Sequence, residues 1–412
     1  MLIQSKKNII TGLLAASVSS ISAASGFDRG VVPPDFLFEK GDFAQFSFAS
    51  AMPSVSGKVT ASPKATLQAQ AAQAQGAANM LPDDTTLLNG LTRPQYQALA
   101  AQASGAAALM PSVGADTGKI AQDYTRTGLS FKQDYSDKIT FGMQLTQPAG
   151  LNVQYAQDVL GANIDMEVSA IDALVKYQID ESISVFAGPR LQYVGESTFG
   201  NNSNGSFEAD SAEEVGYTLG MGYKNADYHT QFLVSYTSAI EIAQTAKQVE
   251  VGPLLTIPGE QEFYVNTPAQ IQLAVKQPLS QNSMLMATYR MANWSDANIE
   301  TSVTGLEQLS NYKDVEAYVL GYGHKVNNEL SLLGSYTRQT GSASLYSPTN
   351  DRDGLAFLGR YHLNDFRVDA GVIYYQLQDA VTTIPGGAAG DIEMEFEGND
   401  ALAYTMRIGY SF

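Results

Sequence analysis

Between Phe43 and Phe412 the chain alternates between two kinds of connection. Short polar turns fall at Asp134–Asp137, Asp180–Ser182, Asn225–Asp227, Leu279–Asn282, Asn327–Glu329 and Asn364–Asp365. Between them lie long connections, near 58–119, 147–167, 196–213, 246–262, 298–312, 341–353 and 380–399. The intervening segments read with period two. Ile139, Phe141, Met143 and Leu145 alternate with Thr140, Gly142, Gln144 and Thr146. A period of two is a strand with one apolar and one polar or small face. Short and long connections in strict succession put all tight turns at one end of an antiparallel meander and all long loops at the other. An outer-membrane barrel is built this way, with about fourteen strands fitting here and the short turns facing the periplasm. A large soluble β-sandwich is the alternative, and it leaves the loop alternation without a cause.

The two ends agree with export and membrane insertion. Lys6 and Lys7 precede an apolar run from Ile9 to Val18 and the small residues Ser22 and Ala24. That is the pattern of a secretory signal peptide over 1–24. The last ten residues, AYTMRIGYSF, alternate as a closing strand, and the final aromatic has the form of the signal that barrel-assembly machinery reads. The mean hydropathy of -0.12 would suit a soluble chain. Barrel strands escape such averaging, because lipid-facing and lumen-facing residues alternate. The chain has no cysteine, so disulfides and thiol chemistry are excluded. A net charge of -18 lacks the basic footprint of a nucleic-acid binder.

The expected organisation is a signal peptide (1–24), a short hatch or plug segment (25–42) and an all-β transmembrane antiparallel barrel (43–412). The barrel carries a long helical extracellular loop at 58–119. Helices are predicted near 64–75 and 93–109, the second opened by Thr92 as N-cap with Pro94 in its first turn. The apolar residues of this loop, among them Met80, Leu87, Leu99 and Leu109, have two readings. Either the helices bury them against each other, or they form a landing surface for an apolar ligand. Phe27, Phe36 and Phe38 are expected inside the barrel, where Asp28 and Arg29 would need polar partners.

Several segments resemble the FadL/TodX-like family of outer-membrane transporters for long-chain fatty acids and hydrocarbons. FLFEKGDFAQFSFASAMPSVSG (36–57) resembles the family's first strand with its Pro-x-Val-Ser-Gly ending. FKQDYSDKITFGMQLTQPAGLNVQYA (131–156) is similar to its second hairpin, ending in Gln-Pro-x-Gly. GYTLGMGYKNADYHTQFLVSYTSAIE (216–241) and TPAQIQLAVKQPLSQNSMLMATYRMANWSDANIE (267–300) resemble later units, the last carrying the single tryptophan, Trp294. The resemblance covers most of the mature chain. The family's Asn-Pro-Ala hatch motif has no counterpart here. The resemblance implies a hatch-plugged barrel of about fourteen strands, in the outer membrane of a Gram-negative bacterium, for passive uptake of hydrophobic molecules.

On this reading long-chain fatty acids are the first candidate cargo and hydrocarbons or aromatics of the same family the second. A polar-solute porin and an outer-membrane hydrolase are rivals of other classes. A porin needs rings of charge, whereas here Arg190, Lys276 and Arg290 share lumenal faces with Phe186 and Met286. A hydrolase needs a converging acid/base set. His229, His324 and His362 lack metal-ligand spacing, and no Gly-x-Ser-x-Gly occurs. No enzyme activity, metal or cofactor is expected. The partners expected are an apolar small molecule and outer-membrane lipid, with the barrel acting as a monomer. Candidate ligand contacts are Arg190, Arg290, Trp294, Phe186 and Lys276. Each arginine has two readings, a pair with a protein carboxylate or a seat for a ligand carboxylate. Pro148 and Gly150 are candidates for a side opening, since Pro cannot donate to a ladder and Gly weakens it. Alternatively, Pro148 only starts a loop.

Overall fold

A computed structural model describes residues 27–412 except 31, 85–86, 160–162, 202–204, 226, 252–254, 303–309, 342, 345 and 385–389. The expected signal peptide lies outside the described residues, as do residues 25, 26 and 31 of the expected hatch. The strands of the barrel circuit are β1 (Phe43–Ser54), β2 (Tyr124–Asp134), β3 (Ile139–Gln154), β4 (Asn163–Gln178), β5 (Ile183–Val194) and β6 (Ala212–Lys224). Then come β7 (Gln231–Thr237 and Ile240–Val251) and β8 (Leu255–Thr267 and Gln270–Pro278), each in two pieces. The circuit continues with β9 (Ser283–Ala292), β10 (Val315–Lys325), β11 (Leu330–Gln339), β12 (Arg352–Leu363), β13 (Phe366–Leu377) and β14 (Asp400–Ser411). Each pairs antiparallel with the next, and β14 pairs with β1 from Phe43↔Ser411 to Ser54↔Asp400, which closes the barrel.

Closure follows from the lipid environment, in which an unpaired sheet edge costs several kcal/mol per unsatisfied group, by rough estimate. The outward face of β14 carries Tyr404, Met406, Ile408 and Tyr410, all exposed, while Ala401, Ala403 and Arg407 between them are buried. This is the outward apolar band of a membrane-spanning barrel. Phe412 donates its backbone N–H to the Asp42 carbonyl at 3.0 Å, and its ring stacks on Phe131 and Tyr410 at 6.2 and 5.8 Å. Phe412→Asp is expected to cut the yield of folded barrel severalfold, read as heat-modifiable gel mobility. Normal yield and mobility would show the terminal ring to be dispensable.

Several expectations need correction. The predicted loops at 196–213, 246–262 and 380–399 carry strands, at Ser197–Asn201 and Gly205–Ala209, at Ile240–Val251 and Leu255–Thr267, and at Ala380–Ile384 and Ile392–Phe396, because strand pairing runs on beyond the membrane-facing band. The predicted loop at 147–167 is mostly strand, because β3 runs on to Gln154 and β4 begins at Asn163. Pro148 does not end the strand. It sits in a bulge, where the register of β3 against β4 jumps between Thr146 and Ala149. A bulge tolerates a missing donor. Likewise β7 and β8 are not single runs. Both break at one level, at 238–239 and 268–269, and above the breaks they continue as a pair from Ile240↔Thr267. There Ile240, Ile242, Phe263 and Val265 turn inward and are buried.

The long first loop forms two helices, α1 (Lys64–Met80) and α2 (Arg93–Leu109). The first runs about a turn beyond its expected end, since nothing before Pro82 stops it. At the start of α2 the Thr92 N–H donates to Gln95 Oε1 at 2.8 Å. The helices pack on each other around Ala78, Leu81 and Tyr96. Met80, Leu87, Leu99 and Leu109 remain exposed on the hairpin. The first reading, burial between the helices, holds for Ala78, Leu81 and Tyr96 and does not account for the exposed four.

Candidate functional site: a split in the wall closed by the N-terminal segment

The lumen has two storeys. Its outer half is filled by inward-facing apolar side chains, among them Val55, Ile120, Leu151, Val153, Met166, Ile242, Phe263 and Trp294, all buried. Its inner half, nearer the short turns, holds ion pairs. Arg360 bonds Asp369 through two nitrogens at 2.6 and 2.7 Å, and Arg407 approaches the same carboxylate at 3.4 Å. Between the storeys, Arg190 Nη1 meets Asp172 Oδ2 at 2.7 Å, beside a small cavity that Asp28, Pro148 and Trp294 also line.

Residues 27–30 and 32–39 lie in this lumen, ahead of β1. A short 3₁₀ turn, Asp35–Phe38, is held from several sides. Lys176 Nζ donates to the Leu37 carbonyl at 2.7 Å and lies 5.1 Å from the Phe38 ring. Lys132 Nζ donates to the carbonyls of Glu39 and Gly41 at 2.7 and 2.6 Å, and Arg367 pairs with Glu39 at 2.6 Å. Lumenal glycines make room for the segment. A Cβ at Gly142 would stand 2.2 Å from Leu37, one at Gly222 2.3 Å from Phe38, and one at Gly150 2.5 Å from Arg29.

The wall itself is split. β2 pairs with β1 from Tyr124 to Lys132, but with β3 only from Leu129↔Leu145 to Asp134↔Thr140. Above Leu129 the two strands part. Among the described residues they meet again at Ala121↔Val153, where Gln122 N–H reaches the Asn152 carbonyl at 3.1 Å. Two devices occupy the gap. The Gln147 side chain spans it, with Oε1 accepting the Thr127 N–H at 2.8 Å and Nε2 donating to Glu167. From inside, the N-terminal segment pairs with the free edge of β3. Asp28 bridges Ala149, Arg29 N–H donates to the Pro148 carbonyl at 3.1 Å, and Gly150 N–H donates to the Phe27 carbonyl at 3.0 Å. Arg126 of β2 reaches across to the carbonyls of Arg29 and Gly30. The segment thus takes the place β2 would have filled.

Two cavities flank this crossing. One touches Arg29, Tyr124, Gly150, Leu151 and Tyr346, with free space of about 40 Å³. The other touches Asp35, Arg126, Thr127, Leu145, Gln147 and Arg407, with about 50 Å³. Each has room for a water or two beside the closed crossing.

The candidate residues fall into different places. Pro148 and Gly150 lie on the free edge of β3 at the split. Phe27 is buried and meets Trp294 edge-on at 5.4 Å, and Trp294 in turn meets Tyr312 at 5.8 Å. Asp28 pairs with Arg290 through both carboxylate oxygens. Arg29 lies 4.5 Å from the Tyr124 ring. Arg290 and Trp294 therefore meet at the N-terminal segment, though Trp294 sits in a 3₁₀ turn (Trp294–Asp296) beyond the end of β9 rather than on that strand. Phe36 and Phe38 fill the inner half, where Phe38 meets Phe186 at 6.1 Å. Phe186 thus packs under the segment, away from the split. Lys276 faces the charges of Asp35 and Glu39. Arg190 takes the first of its two readings: Asp172 holds it, and Gln144 and Thr218 saturate that carboxylate. Arg126, Arg352 and Gln147 were not singled out from the sequence. Period two marks Arg126 and Arg352 as inward, but their convergence depends on strands far apart in the chain.

Solved structures share this architecture. A FadL homologue of Pseudomonas aeruginosa matches with a TM-score of 0.70 and 11% identity, over 96% of this chain and 98% of that one. The toluene transporters TbuX of Ralstonia pickettii and TodX of Pseudomonas putida each match with a TM-score of 0.57. Their identities are 12% and 14%, over 96% of this chain and 98% of theirs. The fold is that of the FadL and TodX channels. No family model matches the chain, and no curated relative does. In this FadL-type barrel the lumenal N-terminal segment lies directly against the split in the wall.

Proposed function

We propose that the protein is an outer-membrane channel for passive uptake of hydrophobic molecules, with long-chain fatty acids as cargo. Supporting this, solved structures of the same fold are described as a FadL homologue and as toluene transporters. The single observation that carries the reading is the split between β2 and β3. It lies at the foot of the apolar outer storey and is closed by a short backbone crossing and one glutamine. An apolar tail is at home in the outer storey. To continue inward it would have to displace paired buried ions, and an uncompensated buried charge costs several kcal/mol. The split offers a shorter way, sideways into lipid. The exposed Met80, Leu87, Leu99 and Leu109 of the helical hairpin serve as the landing surface, and residues 27–39 act as the hatch.

A carboxylate head group suits the split better than a neutral aromatic does. Arg29, Arg126 and Arg290 gather there, all buried, and cations in an apolar site favour an anionic partner. A polar-solute porin is disfavoured by the outer storey, whose buried inward side chains include Val55, Ile120, Leu151, Val153, Met166, Ile242 and Phe263.

The test locks the split. The chain has no cysteine, so Thr127→Cys with Gln147→Cys gives one reactive pair, on opposite sides of the gap. Bridging the pair with a short bis-maleimide should lower oleate uptake at least about tenfold, roughly 1.4 kcal/mol on the barrier. Each single variant treated alike should keep uptake. Full uptake through the bridged protein would place the exit elsewhere.

A further inference from the structure

We propose that Asp28 is a built-in stand-in for the cargo's carboxylate: it occupies the head-group site on Arg290 and, through its own backbone, closes the split against Ala149. The inference deepens the reading of the cargo as a long-chain carboxylate and rests on it. Three observations meet at one residue.

First, the Asp28 side chain is held as a bound carboxylate would be. Arg290 Nη1 donates to Oδ1 at 3.2 Å, Arg290 Nη2 forms an ion pair with Oδ2, and the Gly30 N–H donates to Oδ1 at 2.9 Å. Carboxylate and guanidinium are both at least nine-tenths buried. A two-point guanidinium contact recognises any carboxylate of this geometry, whatever chain carries it.

Second, the surroundings hold more donors than Asp28 uses. Arg29 Nη1, Arg290 Nε and the Trp294 indole N–H are buried without a hydrogen-bond partner. Unmet donors in an apolar enclosure call for an acceptor-only group, as an ionised carboxylate is. The indole also brings an apolar face, suited to the first methylenes of a tail.

Third, side chain and backbone are linked. Asp28 is the residue that bridges Ala149, with Arg29 and Phe27 bonded to β3 on either side. Exchanging its carboxylate for the cargo's keeps the guanidinium paired, and the displaced Asp28 carboxylate must leave the enclosure with its backbone to regain water, since it cannot stay buried without a partner. What the exchange removes is the anchor that keeps residues 27–30 against β3. A neutral hydrocarbon cannot make it. The hatch then opens for cargo that brings its own anion, and the chain's tethered carboxylate sets the affinity a cargo must exceed.

The experiment compares oleate with oleyl alcohol, which has the same tail and no charge, on the full-length detergent-solubilised protein. Asp28→Asn should tighten oleate at least tenfold and change oleyl alcohol less than threefold. Asp28→Glu, which keeps a tethered carboxylate, should bind both as the native chain does. Arg290→Gln should abolish any preference for oleate over the alcohol. A nitroxide on Val32→Cys, half-buried at the second cavity and the only thiol of that variant, should gain mobility with saturating oleate and not with saturating alcohol. Heat-modifiable mobility verifies that each variant is folded, and the nitroxide assay on the Asp28-intact chain tests the proposal even if Asp28→Asn fails to fold. The proposal is overturned, with the channel reading left standing, if both lipids bind and respond equally to Asp28→Asn, or if oleate binds without freeing the label. If neither lipid binds the native chain, the channel reading falls, and the proposal with it.

Discussion

Asp172→Ala should destabilise the barrel by roughly 3–5 kcal/mol, the usual cost of breaking a buried ion pair from one side. Asp172 is fully buried, at 0% exposure, and takes three bonds. Arg190 Nη1 and Gln144 Nε2 donate to one oxygen at 2.7 and 3.0 Å, and the Thr218 hydroxyl donates to the other at 2.7 Å. The four residues come from β3, β4, β5 and β6, so one carboxylate ties four consecutive strands together. Truncation strands the guanidinium among side chains that cannot neutralise it. Urea titration in liposomes measures the loss as a lower midpoint. Asp172→Ala with Arg190→Met should recover much of it, because the paired charges then leave together. A loss under about 1 kcal/mol in the single variant would mean that water or lipid head groups already reach the site. This changes what Arg190→Gln should do. Its effect falls on stability, and oleate and oleyl alcohol binding should decline together.

The second large effect concerns conductance. Gly142→Leu puts a branched side chain where the segment's Leu37 and Phe36 now sit, 2.2 and 2.9 Å from a Cβ at that position. Gly142 faces the lumen and its strand is paired on both sides there, so the wall can hold the new side chain while the seat cannot. The hatch must lift, with Phe38 leaving Phe186 and Lys176. Planar-bilayer recordings should show ion conductance several times that of the native chain. Gly222→Leu, under Phe38, should act alike. Gly334→Leu, on the outer face with open space around it, is the control that should change nothing. Native conductance with Leu at 142 would show that residues 27–39 do not obstruct the pore.

The sequence made strands and faces legible because lipid selects outward residues one by one. Ile139, Phe141 and Met143 leave the polar face of β3 no other way to point. Arg290 could be assigned to the lumen on period two alone. Its partner could not, because Asp28 lies 262 residues away and no local pattern links the two. The glycines of GYTLGMGYK read as small inward residues, yet the reason at Gly222 is the ring of Phe38, which only the folded chain brings there. Of the two readings of Pro148, a side opening or the start of a loop, the second is the one that misleads. A proline after a clean strand pattern reads as a stop, and here it marks a bulge in a strand that has lost its neighbour on one side. The split is a missing ladder, and a missing ladder leaves no trace in residue type except the glutamine that covers for it.

The seat of the hatch also joins two tasks in one strand. Residues 27–30 are bonded to β3 from within, while the same stretch leads into β1, the strand that β14 pairs with to close the barrel. The strand whose pairing seals the wall is therefore also the root from which the hatch reaches its seat. A fault in the pairing of β1 with Tyr404–Ser411 would surface twice, as an unsealed seam and as a hatch without a fixed root.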